Sequence, residues 1–104
     1  MTTVGLFVKL EAKKGKESEL EQFLRNGLSI VENEHDTVSW YAIRLGPTTY
    51  AIFDTFADND GRQAHLAGQV AKQLMERSSE LLSKPPAIEK VDILAAKLGQ
   101  GVSH

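Results

Sequence analysis

The hydrophobic period of this chain changes in a fixed order, from two to about 3.6, then two twice, then about 3.6 and two again, and few folds accommodate that order. Val4, Leu6, Val8, Leu10 and Ala12 alternate with Gly5, Phe7, Lys9 and Glu11, which predicts a first strand with one fully buried face. Lys13-Lys14-Gly15-Lys16 makes a turn, and Glu17, Glu19 and Glu21 crowd the positive end of a first helix. Leu20, Phe23, Leu24, Leu28 and Val31 form its apolar stripe, Gly27 on the same stripe permits a close backbone approach, and the helix ends near Glu34. Val38 to Leu45 is a second strand, dense in β-branched and aromatic residues and closed by Gly46-Pro47. Thr48 to Phe56 follows as its hairpin partner, and Asp58 is the natural cap of the next helix. Gly68 divides that helix into a short segment around Ala64-His65-Leu66-Ala67 and a longer one with Val70, Ala71, Leu74, Met75, Ser78, Leu81 and Leu82 on one stripe. Lys84-Pro85-Pro86 stops it, and Ile88 to Lys97 reads as the last strand.

This order predicts an α+β fold, a ferredoxin-like βαββαβ unit with a four-stranded antiparallel sheet and helices on one face, in a single domain over 1–98 with a polar tail over 99–104. Helices on one face leave the other bare. Yet the strands carry bulky apolar residues on both parities, Phe7 against Val8, Ile43 against Trp40 and Phe53 against Ile52. Both faces are therefore expected to be covered, the second by a homodimer through the sheet. With 12 basic and 14 acidic residues and a net charge of −2, the chain carries no footprint for nucleic acid or an anionic membrane. It has no cysteine, hence no disulfide framework and no thiolate nucleophile. No run approaches the roughly 18 to 20 apolar residues of a membrane span, and a soluble cytoplasmic protein is expected.

The segments Val8-Lys-Leu-Glu-Ala-Lys-Lys-Gly15-Lys-Glu-Ser-Glu-Leu20, Phe53-Asp54-Thr-Phe56-Ala-Asp58 and Ala64-His65-Leu66 together resemble the antibiotic biosynthesis monooxygenase (ABM) family over nearly the whole chain. In that family a first strand leads through a Lys-Gly turn to a helix. The third strand ends in an acidic residue, a spacer and an aromatic, before an Asp-capped helix bearing an Ala-His pair. Asp54, Thr55, Phe56, Asp58, Ala64 and His65 hold those places here. The resemblance implies a dimeric α/β barrel with a separate pocket between sheet and helices in each subunit. It also implies activities drawn from cofactor-independent oxidation of phenols, quinols and anthrones, heme degradation, and isomerisation or turnover of small signalling molecules. The heme-degrading members use an Asn on the first strand, a Trp at the end of the third and a ligating His in the second helix. Val8, Phe56 and the neighbourhood of Leu74 and Met75 occupy those places, which argues against that branch.

Triplet dioxygen needs an electron donor, and the sequence offers no metal-binding spacing among His35, His65 and His104 and no Gly-rich phosphate loop. No cofactor is expected, and the substrate becomes its own reductant. A base removes a phenolic proton, the anion passes an electron to oxygen, the radicals combine to a peroxide, and loss of water leaves a quinone. His65 is the candidate base, with a surface or capping histidine as the alternative. Asp54, central in its strand, orients His65 or binds a substrate hydroxyl, with a structural hydrogen bond to a neighbouring strand as the alternative. Trp40 and Arg44 share a parity, so Arg44 either holds an anion beside the indole or forms a salt bridge at a sheet edge. Tyr50 and Phe56 share the parity of Asp54 and either line its pocket or pack the core. The helix 1 glutamates, Lys13, Lys14, Lys16, His35 and His104 read as solvated, and Met75 as core. The leading reading is a homodimeric, cofactor-independent monooxygenase taking O2 and a small electron-rich aromatic. An isomerase or turnover enzyme using the same His65 and Asp54, and a non-catalytic ligand-binding barrel, are the alternatives.

Overall fold

One residue parity decides which face of the sheet the helices cover. In the computed structural model, which describes residues 2–99, β1 (Val4–Glu11), β2 (Thr37–Arg44), β3 (Thr49–Phe56) and β4 (Ala87–Asp92) form an antiparallel sheet in the order β2-β3-β1-β4. Its connections are α1 (Glu17–Val31), α2 (Asn59–Leu66) and α3 (Gln69–Leu81). Leu6 pairs with Asp54, Val8 with Ile52 and Leu10 with Tyr50, and all six side chains are buried. Leu20, Phe23 and Leu24 of α1 and Leu74 and Leu81 of α3 close over them as one core. Each buried Leu or Phe contributes about 1.5–3 kcal/mol of transfer free energy, so this shared face dominates the stability.

The elements begin and end for local reasons. Gly15 adopts φ 87° at the β1–α1 turn, a region that side chains disfavour, and its N–H donates to Glu17 Oε1 at 3.0 Å. Glu17 and Glu19 sit in the first turn of α1, which has no side-chain cap of its own. Asp58 caps α2 by accepting from the Gly61 N–H at 3.0 Å. Asp58→Ala is expected to cost about 1 kcal/mol, read as a lowered thermal midpoint at fixed protein concentration; an unchanged midpoint would show the cap to be idle.

Four expectations are corrected. Strand β4 stops at Asp92 rather than Lys97, because its last partner is Val4 at the start of β1, and only one further bond, Ile93 N–H to the Thr3 carbonyl, follows. Leu94 is consequently 96% exposed. Leu28 of the predicted α1 stripe is 49% exposed, and Met75 is no core residue but 57% exposed, since α3 presents that side to the rim of the sheet and not to α1. Helix α1 ends at Val31 rather than near Glu34, leaving Glu34 in the turn before β2. The tail from Gln100, with His104, lies outside the described residues. No helix among those described is long and apolar enough to cross a membrane.

The face away from the helices carries Phe7, Phe53 and Tyr41 in one register row, with the Tyr41 and Phe53 rings stacked at 6.5 Å between centroids. Tyr41 is 52% and Ile43 38% exposed there.

Candidate functional site

Asp54 occupies an inward position of β3, where a hydrophobic residue would be ordinary, and is 1% exposed. A carboxylate so placed needs a counter-charge and donors. The short helix α2 supplies the first. Its His65 turns back over the sheet, 7% exposed, with Nε2 2.9 Å from Asp54 Oδ2 and the ring tilted against Phe56 at 5.4 Å between centroids. On the other side of the ring Nδ1 lies 2.6 Å from Glu34 Oε1, which also accepts the Thr37 hydroxyl at 2.7 Å. The imidazole therefore stands between two carboxylates. The α2–α3 break permits this: a Cβ on Gly68 would lie 3.2 Å from Glu34 Oε2 and 3.1 Å from the His65 carbonyl, so only a glycine lets Glu34 approach without displacement.

Burial pulls the His65 pKa down, but the hydrogen bonds and charges of Asp54 and Glu34 outweigh it and hold it above 6.5. Once protonated, the ring is a donor on both nitrogens. Beyond the 2.9 Å contact of Oδ2 with Nε2, neither Asp54 oxygen has a hydrogen-bond partner. Asp54 is thus a buried acceptor short of donors, and a ligand hydroxyl or N–H would meet that need. Among the described residues no three His, Asp or Glu side chains are grouped as metal ligands.

Asp54 and His65 form the polar floor of a cavity of about 280 Å³. Its walls are otherwise apolar, Leu6, Val8 and Ile52 from the sheet and Leu66, Val70 and Leu74 from α2 and α3, and exposed Met75 and Ile88 stand at its mouth with Lys72. That combination of dry walls and a few converging polar atoms suits a small, mostly apolar ligand.

The remaining predicted residues fall elsewhere. Phe56 supports the His65 ring from within the core and is not a cavity wall. Trp40 packs on the core with its ring 3.4 Å from where a Cβ on Gly27 would lie, away from the cavity lining, and its buried indole N–H has no partner. Tyr50 and Arg44 form a separate pocket of about 150 Å³ with Glu21, which accepts the Tyr50 hydroxyl at 2.9 Å and pairs with Arg44 at 3.5 Å. Four residues of strand, roughly 13 Å, separate Tyr50 from Asp54, so sharing a parity does not bring them to one site. Burial first, and then Glu21, raises the Tyr50 pKa above 10.0. Arg44 is the edge-strand salt bridge of the two readings, and Glu21 is not merely solvated. Glu34 was not among the candidates; it lies outside every periodic segment, and no spacing in the sequence marks it.

No family model matches the chain, and no curated protein matches it. Among solved structures it is 52% identical to the NE2512 protein of unknown function from Nitrosomonas europaea, covering 97% of this chain and 98% of that one with a TM-score of 0.94. The chain belongs to the same family as that protein. It also superposes on a candidate antibiotic biosynthesis monooxygenase from Caulobacter crescentus, at 18% identity over 90% of this chain and 92% of that one, TM-score 0.77. A second candidate antibiotic biosynthesis monooxygenase, from Nitrosomonas europaea, gives 12% identity over 88% and 90%, TM-score 0.79. At those identities the likeness is one of fold.

Proposed function

We propose that the chain is a cofactor-independent monooxygenase that oxidises a small electron-rich aromatic, a quinol, anthrone or polyketide-like phenol, and that it works as a homodimer joined through the bare sheet face. The observation that carries this reading is the Asp54–His65 pair at the floor of an apolar cavity; the fold shared with candidate monooxygenases supports it. Asp54, short of donors, takes the proton of a phenolic hydroxyl, and the protonated His65 ring offsets the charge that develops. The substrate anion gives an electron to O2, the radicals join in a C–O bond, and the hydroperoxide expels water, so one oxygen atom stays as a carbonyl. In this reading Asp54 takes the role of base that the sequence offers to His65, because a raised pKa favours the donor form of the ring.

The same pairing of an acceptor with a protonated ring favours, as a second reading, isomerisation of a small carbonyl compound. There Asp54 would remove a carbon-bound proton while His65 donates to the carbonyl oxygen. Oxygen uptake separates the two. Purified protein with quinols, anthrones and catechols is expected to consume oxygen above autoxidation, and Asp54→Asn and His65→Gln to lower the rate by about 10²–10⁴-fold, the usual worth of a positioned acid or base. No uptake across the panel would sink the oxygenase reading, and unchanged rates in both variants would remove the pair from it.

A further inference from the structure

His65 is a wall of two cavities at once. Its Nε2 side, with Asp54, faces the apolar cavity; its Nδ1 side, with Glu34, faces a second cavity of about 260 Å³ lined also by His35, Asp36, Thr37, Gly61 and Ala64. Asp54 borders only the first and Glu34 only the second. The two sides differ in access to water. Asp54 is 1% exposed behind apolar walls, whereas Glu34 retains 20% and its neighbours His35, Asp36 and Ala64 are exposed.

We propose that the second cavity is the proton port of the site: protons reach and leave the buried pocket through Glu34 and the His65 ring rather than through the apolar mouth, which makes Glu34 a positioning and proton-carrying residue. The exchange balances in two moves. Asp54 breaks a ligand O–H or N–H bond and forms its own O–H, and the ring passes its Nδ1 proton to the Glu34 carboxylate, which releases it to water. One proton leaves the ligand and one enters solvent. The ligand anion forms beside a neutral Asp54 and the still protonated ring, which releases its Nδ1 proton only as the anion reacts on, so the negative charges of Asp54 and ligand never coexist in the pocket. The reverse sequence resets the site. The ionisable groups facing the ring are Asp54 from β3 and Glu34 from the turn before β2, with His35 and Asp36 in the second cavity and Lys72 of α3 at the far mouth.

Proton passage through the ring can be read without substrate, so its failure is distinguishable from failure of the oxygenase reading. The probe is water exchange of the His65 ring N–H groups, followed by NMR on protein labelled with nitrogen-15 histidine, below the ring's pKa. The Nδ1 proton is expected to exchange faster than the Nε2 proton. Glu34→Gln keeps an acceptor but removes the carrier, and is expected to slow Nδ1 exchange by at least about tenfold, since an amide cannot carry the proton onward as a carboxylate does. Ala64→Leu, which narrows the second cavity from an exposed position, is expected to slow it also; Met75→Trp at the apolar mouth leaves it unchanged. A merely structural Glu34 predicts the opposite sign, since a weaker hydrogen bond opens more often. Unchanged or faster Nδ1 exchange in Glu34→Gln, or slowing by Met75→Trp instead of Ala64→Leu, would overturn the port.

Discussion

His65→Ala is expected to destabilise the protein by about 3–5 kcal/mol near neutral pH, because it removes the ring that stands between two carboxyl groups and leaves Asp54 buried without its partner. The void beside Phe56 adds to the loss. In a domain of this size each kcal/mol moves the thermal midpoint by roughly 4–8 °C, so the variant should melt more than about 12 °C lower at matched protein concentration. Adding Asp54→Asn to it should restore part of the difference, since an amide is less costly to bury than an unpaired charge. A loss under about 1 kcal/mol for the single variant would mean that water reaches Asp54 and that the pair is not dry.

The sign of the pH dependence follows from the same geometry. A ring whose pKa is raised on folding binds its proton more tightly in the folded state, so its stabilisation is complete below the unfolded value of about 6.5. It is then lost as pH climbs through the folded value. The wild type should therefore lose stability on the alkaline side of about pH 6.5, by at most 1.36 kcal/mol per pH unit for one proton, and His65→Ala should lack that slope. Glu11 and Glu80, whose pKa values are lowered by Thr48 and by Arg77 respectively, act in the other direction and weaken only as pH falls through the carboxylate range.

Which parts of this were legible in the sequence follows from where the signals reside. The sheet and its helices were, because burial of one face imposes a period on each element: Leu6, Val8 and Leu10, or Tyr50, Ile52 and Phe56, can only be read one way. An acidic residue on an inward parity and a histidine on the helix capped by Asp58 were legible, but their convergence was not, since it depends on how α2, with His65 in its last turn, turns back over the sheet. Glu34 was not, since a turn has no period and its role depends on the α2–α3 break bringing Gly68 beside it. Arg44 and Tyr50 fall elsewhere because parity assigns a face, not a position along the strand, and both sit at the end held by Glu21; Trp40, though opposite Asp54 in register, stands on the edge strand β2 and packs toward Gly27. The end of β4 was set by the length of β1, a partner's property that its own residues do not encode.

The remaining large effect concerns the bare face. Phe53→Asp is expected to convert a dimer into a monomer at micromolar concentration, weakening association by at least about 10²-fold, because it sets a charge in the middle of an apolar row. Phe7, Phe53 and Tyr41 run across three adjacent strands, with Lys9, Glu11 and Glu89 of both signs on the same parity around them. A second copy suits such a face better than an unrelated partner, since a two-fold axis through the row brings aromatic onto aromatic and lets the flanking charges meet their opposites. Light scattering decides it. A wild type that is already monomeric, or a Phe53→Asp variant that keeps the dimer mass, would end the proposal of a sheet-to-sheet dimer. The variant should leave the His65–Glu34 hydrogen bond undisturbed, because Phe53 and Asp54 point to opposite faces of β3. Loss of that bond in the monomer would instead mean that the second copy props the sheet on which the cavity is built.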